Sequence, residues 1–293
     1  MTQTIRPVLP NFLVIGAAKA ATTAVCEHLD RHPEIYISPK KETFFFSRDS
    51  RYALGLAWYH QMFAGVTTEK AIGEGSTHYS AVGVFPEMLP RIATHLPDVK
   101  LIYMLRHPLT RIESMWMEHR SQGLERLGFF EAIREEPIYL ETSRYWKQYD
   151  AYRAYYDADR FLLLFYEDFR RDPQAVLSRM FAFLGVDPLF VCESADQPIY
   201  ASVGKREDRG ITNVIRRGTP GFQRLRDRSP RWLRRSAKRW LKRPIEGRPA
   251  WDADSRAWAI GELKGDAARM LEHCGKPPDY WGAEFAAAGE KAR

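Results

Sequence analysis

Residues 12–23 read Phe12-Leu13-Val14-Ile15-Gly16-Ala17-Ala18-Lys19-Ala20-Ala21-Thr22-Thr23, and the order of residue types in this stretch decides the fold class. A compact apolar run over Phe12–Ile15 that opens straight onto glycine predicts a buried parallel strand followed by a loop. Thr22–Leu29 then has helical character and is stopped by Asp30-Arg31-His32-Pro33. Strand, loop and helix make a βα unit. Such a loop presents successive backbone N–H groups, and the helix adds the positive end of its dipole, so the unit is a ready anion site. Lys19 supplies a full charge. Thr22 and Thr23 supply hydroxyl donors and are expected to cap the helix start. The small side chains of Ala17, Ala18, Ala20 and Ala21 let an anion approach the backbone. Taken alone, the stretch also fits a plain strand–turn–helix with a solvated lysine.

The same alternation continues along the chain. Ile35–Ile37, Ala71–Gly73, Val99–Leu105 (VKLIYML) and Phe161–Phe165 (FLLLF) read as short buried strands. Leu109–Arg120 and Pro173–Leu184 read as helices, the second stopped by Gly185. The expected fold is therefore α/β, three-layered, with a mainly parallel central sheet flanked by helices. The 293 residues suit a single domain over 1–293. Its core is expected at about residues 11–203, with a basic, helical C-terminal part at about 204–282 closed by a helix over Asp252–His273. No internal repeat is present.

Composition narrows the function classes. Apolar residues at 45% and aromatics at 13% exclude a disordered chain. A net charge of +7 favours an anionic partner. The three cysteines, Cys26, Cys192 and Cys274, are far apart and form no CxxC or Cys/His cluster, so no metal site is expected. Free thiols suit a reducing compartment. The first twenty residues lack a secretory shape, and no window approaches the roughly 20 apolar residues that span a bilayer. The expected location is cytoplasmic.

Gly16–Thr23 is not a Walker A loop, whose lysine comes late and follows a second glycine. An ATPase or kinase also needs an acidic strand end to hold magnesium. Here the strongest strand ends in Arg106, in the run Arg106-His107-Pro108-Leu109-Thr110-Arg111-Ile112-Glu113-Ser114. Open α/β sheets bind ligands at the carboxyl ends of their strands. Arg106 lies at such an end, and Ser114, eight residues on, can face the same cleft. One arginine and one hydroxyl suit a terminal phosphate.

Taken as a pair, GAAKAATT and LRHPLTRIES resemble the two nucleotide-binding elements of the sulfotransferases that use 3'-phosphoadenylyl sulfate (PAPS). The resemblance extends to Lys41-Glu42-Thr43-Phe44-Phe45-Phe46, which is similar to the K-E-x-x-F-F segment of the glycan-type branch. It also takes in Gly73-Glu74-Gly75-Ser76-Thr77-His78-Tyr79, Tyr166-Glu167-Asp168-Phe169 and the closing Leu271–Trp281. It covers roughly residues 11–282 and is thin over 205–250. It implies that Gly16–Thr23 holds the 5'-phosphosulfate, that Arg106 and Ser114 hold the 3'-phosphate, and that PAP is released without a metal. It also implies Glu42 as general base, with Lys19 stabilising charge on the bridging oxygen; from the residues alone Glu42 also fits a surface carboxylate paired with Lys40 or Lys41, and His78 and His107 are alternative bases. Phe44, Phe45 and Phe46 are expected to lower the dielectric around Glu42 and raise its pKa. Lys205 and Arg206 fall where relatives close a loop over PAPS. Three residues depart from the pattern. Ala21 replaces a glycine, which is costly if its φ is positive. Gly75 replaces a lysine that often assists catalysis, and His107 replaces Asn or Asp.

The implied reaction moves a sulfonate from PAPS to a hydroxyl or amine of a carbohydrate, lipid or natural-product acceptor. A P-loop-type kinase is the alternative from the same fold, and a non-catalytic basic nucleic-acid- or membrane-binding module is the alternative from another class. Residues 231–243, RWLRRSAKRWLKR, carry seven basic residues with a Trp/Leu stripe at helical spacing. They read as a peripheral membrane contact, a lip for an acidic acceptor, or a helix docked on the core. Nucleic acid is not an expected partner.

Overall fold

The computed structural model describes residues 8–192, 206–208, 242–244 and 249–286. Lys205 and residues 231–241 of the basic segment lie outside them.

Five strands form the central sheet: β1 (Phe12–Gly16), β2 (Ile35–Ile37), β3 (Ala71–Gly75), β4 (Lys100–Leu105) and β5 (Phe161–Phe165). Their order is β2-β3-β1-β4-β5, and every pairing in this sheet is parallel. All of β1 is buried, as is β4 from Leu101 onward. That burial explains why both read as continuous apolar runs, since helices cover the two faces of a parallel sheet. The chain leaves β1 toward one edge of the sheet and leaves β4 toward the other. The crevice at the carboxyl ends of these two neighbours is where such sheets take ligands.

Helix α1 (Thr22–Leu29) follows β1, and α2 (Asp49–Tyr52), α3 (Gly55–His60) and α4 (Met88–His95) lie between β2 and β4. Helix α5 (Pro108–Gln122) follows β4. It begins on the proline, whose fixed φ suits a first turn. Then come α6 (Phe129–Glu135), α7 (Ile138–Glu141), α8 (Tyr145–Arg153), α9 (Tyr166–Arg171), α10 (Pro173–Leu184) and α11 (Ala253–His273). A short antiparallel pair, β6 (Arg206–Asp208) with β7 (Lys242–Pro244), joins two distant segments.

Helix α11 packs on α8, and a polar contact fixes the two together. The Asp266 carboxylate accepts from the backbone N–H of Trp146 at 2.9 Å and of Lys147 at 2.8 Å, capping α8 from another helix. Burial pushes that carboxyl up to about 6. Beyond α11, Lys276 and Tyr280 bond Asp168 at 2.6 and 3.0 Å, and Trp281 is buried against Tyr145 and Phe165. The C-terminal segment is thereby tied to the end of β5.

One local expectation is corrected. Thr22 and Thr23 do not cap α1. The N-cap is Ala21, in the left-handed region at φ 64°, and it offers no side-chain acceptor. For a residue with a Cβ this conformation costs about 1–2 kcal/mol, and glycine escapes that cost while losing more entropy on folding. Ala21→Gly is therefore expected to stabilise the protein by about 0.5–1 kcal/mol, which for a domain of this size raises Tm by ~1–4 °C. A fall in Tm would contradict the left-handed assignment.

Candidate active site

The first element is the loop after β1. Gly16 is obligatory there, because a Cβ built on it would lie 2.0 Å from Ser80 Oγ. The alanines divide into two kinds. Ala17 and Ala20 are fully buried, their methyls turned into the core, whereas Ala18 and Ala21 are partly exposed. The Ala17 amide donates to the Met104 carbonyl of β4 at 2.7 Å, and the Ala20 amide closes a turn on Ala17 at 3.1 Å. Two of the four small residues, Ala17 and Ala20, thus form the packed floor of the loop. Lys19 sits at φ 71° with its ammonium 3.1 Å from Glu118 on α5.

The second element begins where β4 ends. Arg106 donates from Nη1 to the Lys19 carbonyl at 2.7 Å, across 87 residues of sequence. Its guanidinium lies over the Tyr166 ring at 4.6 Å, a cation–π contact. The Arg106 carbonyl accepts from Tyr145 at 2.6 Å, and the His107 amide donates to Glu167 at 2.9 Å. A cleft of about 450 Å³ opens beside it, lined by Arg106, His107, Thr110, Tyr166, Glu167, Arg170 and Arg171. Ser114 is nearly buried two turns into α5, one turn before Glu118. Arg111, in the same run, is wholly buried against Ser143 and the Tyr139 carbonyl and holds α5 to its neighbours.

The third element lies over the carboxyl end of β3. Glu42, at φ 61°, hangs its amide on the Gly75 carbonyl at 2.9 Å. One carboxylate oxygen pairs with the Lys41 ammonium at 2.5 Å. The other accepts from the Thr77 amide at 2.9 Å and hydroxyl at 3.2 Å.

The neighbouring aromatics do not gather around Glu42, which corrects the dielectric argument made from the sequence. Phe45 stacks on Tyr59 at 4.5 Å, Phe46 meets Tyr59 and Tyr79, and all four rings are buried. Two of these rings, Tyr59 and Tyr79, serve a different carboxylate, Glu74. Fully buried on β3, it accepts from the hydroxyls of Thr43 (2.8 Å), Tyr59 (3.0 Å), Ser76 (2.7 Å) and Tyr79 (2.8 Å). Burial lifts its carboxyl above the ordinary glutamate range, against the pull of those four donors. Phe44 instead packs tilted on His78 at 4.1 Å, and Phe85 stacks on the same imidazole at 4.4 Å. This burial, with Arg48 nearby, drives His78 down to about 4. His107 is also lowered by burial and packs edge-on against Phe285.

Three site residues went unassigned in the sequence reading. Glu118 was legible in principle, since it lies four residues after Ser114 on one helix face. Thr77 and Glu74 belong to a quoted motif; Glu74 lies on β3, which runs two residues beyond Gly73, and Thr77 opens the turn after it.

A family model described as the sulfotransferase domain matches residues 9–197. The chain belongs to the sulfotransferase family.

Two curated relatives of this sulfotransferase illustrate the spread of the family. It is 36% identical over 143 residues to a membrane-associated sulfotransferase, kil1, of Dictyostelium discoideum, covering 46% of this chain and 29% of that one. It is 29% identical over 202 residues to the mouse bifunctional heparan sulfate N-deacetylase/N-sulfotransferase 3, covering 61% and 23%. The chain thus spans less than a third of the length of either relative. Among solved structures, a sulfotransferase from Alicyclobacillus acidocaldarius superposes with a TM-score of 0.66 at 25% identity, covering 94% of this chain and 99% of that one. Among the described residues, no helix of the sulfotransferase is long and apolar enough to cross a membrane.

The buried glutamate carries a pH signature. Glu74 holds its proton more tightly in the folded protein than in the unfolded chain, where its pKa is near 4.5. Its contribution to stability is therefore fully present below that value and is lost as pH rises through the folded pKa. Denaturant titrations of the wild type and Glu74→Gln at about pH 5 and about pH 8 are expected to show the wild type losing ground to the variant at the higher pH. A difference that does not change with pH would contradict this placement of the carboxylate.

Proposed function

We propose that this enzyme transfers a sulfonate from PAPS to a hydroxyl or amine of an acceptor and releases PAP. One observation carries the reading: the Arg106–Lys19 hydrogen bond of 2.7 Å closes the two anion-binding elements into one cleft at the carboxyl ends of β1 and β4. A nucleotide with phosphates at both ends of its ribose fits such a cleft. Its 5'-phosphosulfate would lie on the Gly16–Thr23 loop and the first turn of α1, and its 3'-phosphate on Arg106 and Ser114. A magnesium-dependent kinase would want a carboxylate where Arg106 stands.

In this reading the acceptor oxygen or nitrogen attacks sulfur in line with the bridging oxygen. The acceptor's proton passes to Glu42. The S–O bond to the 5'-phosphate breaks, and its electron pair leaves on the phosphate, where Lys19 offsets the charge. Lys19 must leave Glu118 to do so. Glu42 is held for its task by the Thr77 amide and hydroxyl, which fix one oxygen and leave the other to the Lys41 pair and the incoming proton.

Among acceptors, a carbohydrate is the first class to test, because the mouse relative's name specifies heparan sulfate. Lipid and small-molecule acceptors follow. The three cysteines are free thiols, which supports placing the enzyme in the reducing cytoplasm.

Glu42→Gln is expected to lower kcat by about 10²-fold or more while PAP still raises Tm as in the wild type. Turnover near the wild-type rate would remove Glu42 as base. The acceptor would be identified by incubating the enzyme with labelled PAPS and fractionated cell extract, and reading the mass of the sulfated product.

A further inference from the structure

We propose that Lys41 is the second cation of the transfer step and contacts the sulfonate in transit. The proposal rests on the reading of Glu42 as general base.

The argument begins with a steric exclusion. Gly75 ends β3 directly beside Val14 of β1. A Cβ built on it would lie 2.6 Å from Cys26 Sγ and 3.7 Å from Val14 Cβ. Cys26 is buried on α1, and its burial pushes the thiol up to about 12, so the sulfur is inert packing. No side chain can therefore rise from position 75 without displacing the core beneath it. The third neighbour of that built Cβ is Lys41 Cε, at 3.9 Å. The lysine stem thus passes the end of β3 in van der Waals reach of the space above Gly75.

Its ammonium is well placed for the reaction. It is about a quarter exposed and pairs with Glu42 at 2.5 Å. The far side of that carboxylate rests on Thr77, whose carbonyl lies 3.6 Å from the Cβ position of Gly16. The Ser76 amide bonds the Val14 carbonyl at 3.2 Å. Lys41 and Glu42 therefore stand beside the first residue of the phosphate loop.

Charge then supplies the reason for the pairing. At rest the pair is neutral overall. As the acceptor O–H or N–H gives its proton to Glu42, the carboxylate becomes a neutral acid and Lys41 keeps its full charge. At that moment the acceptor–sulfur bond is forming and the bond to the bridging oxygen is breaking. A cation that is compensated in the ground state and uncompensated in transit stabilises the transition state selectively. The half-buried setting keeps water from screening it.

Steady-state kinetics with PAPS and the identified acceptor test this. Lys41→Met is expected to lower kcat by about 10²-fold, with KM for PAPS and the PAP-induced rise in Tm unchanged. Lys41→Arg is expected to recover most of the loss. A relocation variant is more telling: Cys26→Ala with Gly75→Lys and Lys41→Met clears the sulfur and returns an amine to the same space, and is expected to exceed Lys41→Met by at least about tenfold. Wild-type kcat in Lys41→Met overturns the proposal. So does a triple variant that binds PAP normally yet shows no recovery. Glu42→Gln measured alongside separates the two readings. If it is inactive while Lys41→Met is unimpaired, only the Lys41 proposal fails. If it is fully active, the base fails, and the charge exchange with it.

Discussion

The hydrogen bond from Arg106 Nη1 to the Lys19 carbonyl is the contact on which the site depends. It exists because β1 and β4 are parallel neighbours, so that two loops 87 residues apart end side by side. Parallel pairing sets the carboxyl ends of adjacent strands on one edge, and buried apolar strands hold the register there. Arg106 is in turn backed by the Tyr166 ring and by Tyr145 on its own carbonyl. A guanidinium held by a carbonyl and a ring, on a backbone that is itself fixed, loses little rotamer freedom when an anion arrives, which is how a preformed site gains affinity.

A second, buried polar cluster supports the opposite wall. Glu74 gathers hydroxyls from Thr43, Tyr59, Ser76 and Tyr79, which come from the loop after β2, from α3 and from the turn after β3. A buried carboxylate left unsatisfied would cost several kcal/mol, so these segments are locked to one another by the need to serve it. Thr43 adjoins Glu42 in sequence, and Ser76 adjoins Thr77. Fixing the two inner residues fixes the two outer ones, so the core cluster sets the position of the candidate base. The left-handed backbones of Glu42 and Phe44 are held by the same packing.

Much of this was legible in the sequence, for physical reasons. β1 and β4 announced themselves as apolar runs ended by glycine and by arginine, and α1, β2, β5 and α10 fall where the pattern placed them. The two anion elements could be paired because each follows a strand. What stayed hidden depends on tertiary contact. Short helices such as α2 and α3 have no periodicity long enough to read and are stable only through packing. The roles of Phe45 and Phe46 were misread because sequence adjacency to Glu42 says nothing about which carboxylate a ring covers. In the turn that follows Glu42 the two rings pack on Tyr59 and Tyr79, which serve Glu74.

The central claim is a cleft that takes phosphates at both ends of one nucleotide. Isothermal titration of the wild-type enzyme with PAP and with 5'-AMP tests it most directly, because the two differ only in the 3'-phosphate that Arg106 and Ser114 would hold. The account predicts that PAP binds at least about tenfold more tightly, as one charge-assisted contact provides. Equal affinities for the two nucleotides would contradict it.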